Sequence, residues 1–426
     1  MNSRTATRPH RPFGHRLTPL ALVALLTACA SISAPTPSVL PEQVPAHWAS
    51  VVNQPPGEAT DLSAWWQRFN DPTLSGLIEQ ALRANPSVKG AQAALRQARA
   101  QAAIQQANLG PSLGASASAQ RSRSGNDDAS NRFQAGFDAS WEPDIFGGNR
   151  SAAEASEADV QASAASLADT QVSLAAEVAV GYVNLRALQA RLTIAQNNLD
   201  TQLETLQITQ WRTQAGLASS LDAEQAKASS EQTRAQLPAL QAGVNQALHG
   251  LAVLTGQAPG ALNTTLSNLA AIPSPPPDLA LAFPADTLRQ RLDVRAAERR
   301  VAAAIARVNG ANAARYPSFR LSGSLGLSAL TLGTLTNSAS LLQSVLASLS
   351  APLFDGGATA AQVRSQEASL DQARATYEST VLTALKDVED ALTALNGDRD
   401  RLGRLQAATT AATNANCSLA NVMRAD

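Results

Sequence analysis

The feature that most constrains the fold of this chain is an internal repeat. The dipeptide Pro111-Ser112 recurs as Pro317-Ser318, 206 positions later. Further along, the glycine pair Gly147-Gly148 recurs as Gly356-Gly357, 209 positions later. Ala-rich helices resemble one another by chance, but an ordered series of prolines and glycines does not, so the pattern indicates a duplicated unit. A fold for this sequence must therefore use one arrangement of elements twice.

Each half of the sequence predicts a helix, two strands and a second, much longer helix. The first helix is predicted over 72–108, where Gly110-Pro111 stops it. Alternation of apolar and small polar residues then predicts strands at 112–122 and 132–142, and again at 318–328 and 340–351. Strands of about ten residues suit a tilted crossing of a bilayer. For one hairpin alone, a soluble hairpin with one wet face is the alternative.

The helix that follows the first hairpin is expected to be very long. It begins at Gly148 and continues without proline to about Ala215. Apolar residues recur in it at the seven-residue spacing of coiled coils: Val178, Leu185, Leu192, Leu199 and Leu206. In the second half, the helix over 357–416 repeats the spacing at Val381, Val388, Leu395 and Leu402. Both stripes predict buried faces on helices longer than a compact globule needs.

A short turn is predicted to reverse the chain after the first long helix. Gly216 suits the C-terminal cap of that helix, and Ser219 or Ser220 suits the N-cap of the next. The return helix is expected from Leu221 to about 255, which completes a helical hairpin over 148–256.

The N-terminus predicts export and lipidation. Residues 1–28 read as a signal peptide, with basic residues ahead of an apolar stretch. The signal ends in Leu26-Thr27-Ala28-Cys29, which resembles a bacterial lipobox, in which the cysteine receives a lipid after cleavage; an ordinary signal with a chance cysteine is the alternative. Residues 29–60 are rich in proline and predict an extended tether.

The remaining boundaries follow from proline content and from apolar runs. A second proline-rich stretch, 257–283, predicts a linker between the repeats at 61–256 and 284–426. No run of 18 apolar residues follows Cys29, so a transmembrane helix is not expected.

Composition argues against several classes of function. Four of the 33 basic residues lie in the expected signal peptide, which leaves 29 against 34 acidic residues and no basic surplus for nucleic acid. Two cysteines provide neither a disulfide framework nor a thiolate metal site. Because His249 is best explained as a helix-surface residue and no catalytic motif is found, we expect neither a cofactor nor an enzyme.

Several motifs resemble those of one family. The segment from Asp61 to Pro72, with Trp65-Trp66 at its centre, is similar to the opening of TolC-type outer-membrane efflux lipoproteins, the NodT-like channels of the outer membrane factor family. The segments 141–147 and 352–357 are similar to that family's strand-to-helix turns. Arg212, Gly216, Leu221, Asp222 and Ala226 match its periplasmic tip.

The resemblance implies a mostly α-helical fold with a membrane β-barrel portion, built from a duplicated helix–strand–strand–long-helix unit. It implies a homotrimer, in which three protomers contribute four strands each to one twelve-stranded barrel on a long periplasmic helical barrel. Its implied partners are a periplasmic adaptor and an inner-membrane pump. Independently, four strands cannot close a barrel, and an open edge in lipid leaves backbone groups unsatisfied.

The candidate functional residues fall into three sets. Cys29 is the expected lipid attachment point in the outer membrane. The adaptor-contact tip is expected to comprise Gly216, Leu217, Ser220, Leu221 and Asp222. The strand-to-helix turns are expected to depend on Pro143, Gly147, Gly148, Pro352, Gly356 and Gly357. No catalytic or metal-binding residue is expected.

The expected function is passive conduction of small molecules from a periplasmic tunnel to the exterior, as the outer-membrane component of a tripartite efflux system. Alternatives are the exit duct of a type I protein-secretion system, a coiled-coil structural lipoprotein and a non-functional truncated paralogue. With an offset of 210, Asp426 corresponds to Gly216, so no counterpart of the return helix follows in the second half. We therefore expect the second long helix to lack its partner and this chain to support little or no efflux.

Overall fold

A computed structural model describes residue 48 and residues 64–126, 128–274 and 290–422. The predicted signal peptide 1–28, the lipobox with Cys29 and nearly all of the tether 29–60 lie outside the described residues. So does the linker beyond residue 274. Within the described ranges, no helix combines the length and the apolarity that a membrane crossing would need.

The order helix, strand, strand, long helix occurs twice along the chain. The elements are a 3-10 helix at Trp65–Phe69, α1 (Pro72–Ala84), α2 (Pro86–Ala107), β1 (Ser112–Ser122), β2 (Ser130–Trp141), α3 (Gly148–Gln214), α4 (Ser220–Leu254), the short α5 (Asn263–Leu266), α6 (Leu292–Ala313), β3 (Ser318–Ala329), 3-10 helices at Leu332–Thr334 and Ser338–Ser340, β4 (Leu341–Ser350) and α7 (Ala358–Val422). The described part of the chain is thus mostly helical, with one small sheet.

The first helix expected over 72–108 is in fact two helices, so that prediction is wrong. A residue before proline is driven out of the helical region, and Asn85, which precedes Pro86, has an extended backbone with φ −62° and ψ 132°. The Asn85 side chain holds the break. Its Oδ1 accepts a hydrogen bond from the backbone N–H of Ser87 at 2.7 Å, and its Nδ2 donates one to the carbonyl of Leu254 at 2.8 Å.

The contacts divide the chain into two compact units, which are described separately. The sheet unit contains Ala103–Ala155 and Ala302–Leu370, and the helical unit contains the described parts of Val39–Ala102, Ser156–Val301 and Asp371–Asp426.

The sheet unit is built on four antiparallel strands in the order β1-β2-β3-β4. Ser112 of β1 lies opposite Ser140 of β2, and Ser318 of β3 lies opposite Ser350 of β4. Between the two hairpins, Ser140 also lies opposite Ser322. Chain neighbours are therefore sheet neighbours throughout, and β1 and β4 form the two edges.

The two faces of the sheet differ in chemistry because side chains alternate along each strand. One face is polar or bears glycine, at Ser116, Gln134, Asp138, Ser322, Ser324 and Ser328. The opposite face is apolar, at Leu113, Phe137, Leu321, Leu325, Val345 and Leu349, and all six are exposed. On the polar face, the hydroxyl of Ser116 donates to Asp138 at 2.8 Å. β4 follows the pattern least strictly, since Leu342 and Leu346 interrupt its polar face.

The core of the helical unit lies among α1, α3, α4 and the short α5. Its fully buried side chains include Leu74, Ile78, Val178, Tyr182, Leu185, Leu251 and Leu266. The first part of the α3 heptad stripe thus faces this core, as the seven-residue spacing predicts: Val178 and Leu185 are buried in it, and Leu192 packs against the cluster from the rim beside Leu188, which is not part of the stripe. The Tyr182 hydroxyl donates to Asp71 at 3.0 Å, and Asp71 in turn caps α1 by accepting from the N–H of Thr73 at 2.8 Å.

The beginning of the predicted linker 257–283 belongs to this core. Leu262 and Leu266 are buried. The buried Arg186 of α3 donates to the carbonyl of Asn268 at 2.7 Å, and Gln189 donates to the carbonyl of Leu266 at 2.7 Å. Proline content identified the stretch as a linker, but two polar side chains of the long helix fix its first residues in place.

A smaller apolar cluster lies between α6 and α7 of the second repeat. Val381 and Ala384 of α7 pack with Val294 of α6 and with Trp48, the one described residue of the predicted tether. Beside it, Arg291 forms ion pairs with Asp293 at 2.7 Å and with Asp387 at 3.4 Å. Hydrogen bonding from Arg291 helps to hold the pKa of Asp293 below its usual value although burial opposes the shift.

Candidate functional site: the strand-to-helix turns, the sheet edges and the helical tip

The tip of the α3–α4 hairpin is closed by a Schellman motif, the common way of ending a helix with glycine. Gly216 has a φ of +73°, in the left-handed region that favours glycine. The backbone N–H of Gly216 donates to the carbonyl of Thr213 at 3.0 Å, and that of Leu217 donates to the carbonyl of Arg212 at 2.8 Å. Both bonds satisfy carbonyls that the end of α3 leaves without helical partners.

The return helix α4 begins with a capping box in which Ser219, rather than Ser220, is the N-cap. The backbone N–H of Asp222 donates to Ser219 Oγ at 3.2 Å, and the backbone N–H of Ser219 donates to Asp222 Oδ2 at 2.9 Å. These bonds from the backbone and hydroxyl of Ser219 lower the pKa of the Asp222 carboxyl. Ser220 is the first helical residue. Both serines were open candidates in the sequence, and only the geometry of the cap distinguishes them.

Apolar side chains surround the tip on the protein surface. Leu217 is 71% exposed and Leu221 is 63% exposed, and Ile208 and Trp211 on the last turns of α3 are also exposed. Four large apolar side chains are thus exposed at or near one capped turn, and exposed apolar side chains that lie together are typical of a contact surface. The predicted tip residues therefore include two that shape the turn, Gly216 and Asp222, and two that present side chains outward, Leu217 and Leu221.

The first strand-to-helix turn joins β2 to α3 and depends on a carboxylate. Asp144 Oδ1 accepts from the backbone N–H of Asn149 at 3.2 Å, and Oδ2 accepts from that of Arg150 at 2.7 Å. Pro143 precedes this aspartate, Gly147 has a φ of +80°, and Gly148 is the first residue of α3. The carboxylate thus caps a helix that starts four residues later and places a negative charge at its N-terminus.

The second turn joins β4 to α7. An aspartate caps α7 as well, but it stands closer to the glycine pair than Asp144 does in the first turn. Asp355 accepts from the backbone N–H groups of Gly357 and Thr359, each at 2.8 Å, and from the Thr359 hydroxyl. These hydrogen bonds, above all the one from the Thr359 hydroxyl, lower the pKa of Asp355 to about 2. Pro352 begins this turn, and Gly356 and Gly357 have φ values of +63° and +88°.

The sequence motifs located both turns but did not identify the residues that cap the helices. Aligning the glycine pairs places Asp144 opposite Leu353, whereas the equivalent carboxylate belongs to Asp355. The available signal was an aspartate three or four residues ahead of each long helix, which is earlier than the usual N-cap position directly before the helix. The prolines and glycines set the path of the chain, and the aspartates hold the helix ends.

The surroundings of the two turns differ. Phe146 stacks on Tyr316, with ring centroids 4.9 Å apart and planes 12° apart, and Trp141 donates to the carbonyl of Leu109 at 3.1 Å. In the second turn, Leu353 is 96% exposed and Phe354 is 94% exposed. The first turn is therefore partly packed within the chain, with Phe146 still 41% exposed, whereas the second presents two almost fully exposed apolar side chains.

The edges of the sheet complete the candidate site. Within the described residues, β1 pairs with β2 alone and β4 pairs with β3 alone. Each edge strand is ten or eleven residues long and leaves a row of backbone groups without a strand partner. An amphipathic sheet with two long free edges is a unit that other strands can extend.

The family model described as "Outer membrane efflux protein" matches residues 77–257 and 283–421, which include most of both repeats. The chain belongs to the outer membrane efflux protein family. The resemblance drawn from the turn and tip motifs is thereby confirmed, and the protein is an outer-membrane efflux channel protein.

Individual relatives agree with this assignment. The pyoverdine export outer membrane protein OpmQ of Pseudomonas aeruginosa is 32% identical over 386 residues, which cover 88% of this chain and 80% of OpmQ. The toluene efflux pump outer membrane protein TtgC of Pseudomonas putida is 30% identical over 368 residues, covering 82% and 75% of the two chains. The structure of the outer-membrane channel OprN matches with a TM-score of 0.81 and 36% identity over 87% of this chain and 83% of OprN.

Proposed function

We propose that this protein is the outer-membrane duct of a tripartite efflux system and acts as a homotrimer. Three protomers contribute four strands each to a twelve-stranded barrel, and their long helices form a tunnel in the periplasm. Small molecules pass through it passively, and an inner-membrane pump supplies the energy.

The observation that carries this proposal is the two-faced, four-stranded sheet with two free edges. A membrane offers no water to the backbone groups of an edge strand, so only a closed sheet is stable there. Joining β4 of each protomer to β1 of the next closes the sheet without further elements. The apolar face, with Phe137, Leu325 and Val345, then meets lipid, and the face with Ser116, Asp138 and Ser324 lines the lumen.

The chemistry of the lumen supports passive conduction. Hydroxyl groups and small residues along the polar face offer hydrogen bonds without forming an enclosed cavity for one ligand. The names of the two relatives above refer to pyoverdine and to toluene, which differ greatly in polarity. We therefore assign to this chain the export of small molecules as a class.

The tip of the α3–α4 hairpin is the proposed contact for the periplasmic adaptor. Leu217 and Leu221 present apolar surface there, while Gly216 and the Ser219–Asp222 cap keep the turn in one conformation. A preformed turn loses little conformational entropy on binding. At the other end of the chain, Cys29 is the proposed site of the lipid that anchors the N-terminus in the outer membrane.

Two neighbouring residues on opposite faces of β3 test the proposal. Leu325→Arg places a charge toward lipid, where such a change costs about 2–4 kcal/mol near the bilayer midplane. Ser324→Arg places the same charge in the proposed lumen. In cells that lack their own ducts but contain a compatible pump and adaptor, Leu325→Arg should abolish drug resistance by preventing insertion. Ser324→Arg should insert normally and alter the range of exported compounds.

Membrane fractionation, together with resistance measured for the unsubstituted chain, completes the test. Equal insertion of the two variants would contradict the assignment of the faces. An unsubstituted chain that inserts but confers no resistance with any matching pump would contradict the efflux function proposed here and would agree instead with the expectation, drawn from the sequence, that this chain supports little or no efflux.

A further inference from the structure

The internal repeat relates the two hairpins residue by residue. In the first hairpin Ser112 lies opposite Ser140, and in the second Ser318 lies opposite Ser350. In both hairpins, the pair joins the first residue of the first strand to a residue at the end of the second strand. Ser318 is therefore the equivalent of Ser112, and Ser350 is the equivalent of Ser140.

The seam between the hairpins, β2 against β3, is formed within the chain. There Ser140 lies opposite Ser322, four residues beyond Ser318. The equivalent of Ser322 in the first hairpin is Ser116, four residues beyond Ser112. If the barrel repeats the same geometry at every hairpin boundary, the seam between two copies must follow the one seen inside each copy.

We propose that β4 of one protomer pairs with β1 of the next in this inherited register. Ser350 then lies opposite Ser116 of the neighbouring copy, Ser348 opposite Ser118, and Ala347 opposite Ala119. The inference rests on the proposed trimer and adds to it the register of the contact between subunits.

The chemistry of both edges suits this register. Ser348 and Ser350 lie on the polar face of β4, and Ser116 and Ser118 lie on the polar face of β1, so the lumen face continues across the seam. A slip of one residue would turn every side chain of one strand to the wrong face. Small side chains at these positions let the two backbones approach without steric conflict.

The same equivalence gives the exposed turn after β4 a partner. Inside the chain, the turn after β2 brings Phe146 onto Tyr316, which lies just before β3. Carried to the seam between copies, the turn after β4 brings Leu353 and Phe354 to the segment just before β1 of the neighbour. That segment contains the half-buried Leu109, and the exposed Ile104 lies ahead of it on the last turn of α2, so apolar side chains would meet apolar side chains.

Paired cysteines test the register in the full-length protein in its membrane. The variant Ser348→Cys/Ser118→Cys should form disulfides that link copies into covalent dimers and trimers on non-reducing gels. It is made in a Cys417→Ser background, because Cys417 is the second of the two native cysteines. Ala347→Cys/Ala119→Cys should do the same. Consecutive pairs of an antiparallel ladder have Cα···Cα distances of about 5.5 and about 4.5 Å in alternation, and both distances permit a disulfide. The shifted variants Ser348→Cys/Ser116→Cys and Ser348→Cys/Gln120→Cys lie on the same face but about 7–8 Å apart, too far for a disulfide.

The outcomes separate the register from the trimer itself. Links in both inherited pairs, with none in the shifted pairs or in single-cysteine controls, support the register. Links in a shifted pair alone overturn it and leave the trimer intact. Absence of all links in a protein that a chemical cross-linker still captures as trimers also overturns the register. A protein that is never more than a monomer overturns the proposed function as well.

Discussion

The turn after β2 and the turn after β4 both lead from a strand into a long helix, and in both an aspartate caps that helix. Around the first turn, Phe146 stacks on Tyr316 and Trp141 is hydrogen-bonded to Leu109. Around the second, Leu353 and Phe354 are almost fully exposed. Position in the sheet explains this difference, because β2 is an inner strand and β4 is an edge strand.

The heptad stripes show a similar difference. Leu185 of α3 is fully buried by the neighbouring helices of the first repeat, whereas Leu395, its equivalent on α7, is only partly buried. Further along α7, Leu402 is exposed, so the prediction of a buried stripe holds for Val381 and not for Leu402. Duplication copies local structure, but the neighbours of each copy decide what is buried.

The largest expected effect comes from truncating equivalent leucines in the two stripes. Leu185→Ala removes a fully buried side chain and should lower the free energy of unfolding by about 2–5 kcal/mol. Leu395→Ala should lower it by about 1 kcal/mol, since less of its surface is removed from water. Denaturant unfolding of both purified variants in detergent measures the difference. Equal losses would mean that α7 is covered as thoroughly as α3.

A smaller effect is expected from the two phenylalanines of the turns. Phe146→Ala breaks a stacked aromatic pair inside the chain, worth about 0.5–1.5 kcal/mol, and should destabilise each protomer. Phe354→Ala removes a side chain that has no such pair among the described residues, and should lower only the temperature at which subunits separate. Thermal scans followed by circular dichroism and by gel mobility distinguish the two effects. A protomer destabilised equally by both changes would refute the contrast.

The smallest effect is a pH dependence specific to the second turn. The pKa of Asp355 is held at about 2, below the ordinary value of 3.8, so its stabilising contribution is present above pH 4. That contribution should decrease as the pH falls from about 4 to about 2, when the folded-state carboxylate takes up a proton. Asp355→Asn should therefore melt below the unsubstituted protein at pH 6 and approach it at pH 2. A gap that is constant with pH would show that the charge of Asp355 has no part in capping α7.

The sequence predicted the order of the elements because turns and stripes depend on local residue types. Prolines and glycines located both strand-to-helix turns, and the seven-residue spacing identified the stripe on α3. The break at Asn85 was missed although Pro86 gives it a local cause, because the Ala-rich pattern continues across it. The burial of Leu266 in a proline-rich stretch could not be predicted, since it depends on Gln189 and Arg186, far away in sequence.

The candidate residues show the same limit. Gly216 was predictable from its position after a long apolar repeat, and the structure gives it the expected positive φ. The choice of Ser219 over Ser220 depends on hydrogen-bond geometry that two adjacent serines do not reveal. The exposure of Leu353 and Phe354 depends on which strand lies at the edge of the sheet, and the motif itself carries no information about that.

The central claim is that two other copies of this chain close the edges β1 and β4 into one twelve-stranded barrel, and the number of copies tests it most directly. Native mass spectrometry of the full-length protein, extracted from the outer membrane in mild detergent, measures that number. We predict particles of three chains, which together supply twelve strands from four in each. Particles that contain a single chain, or any number of chains other than three, would contradict the claim.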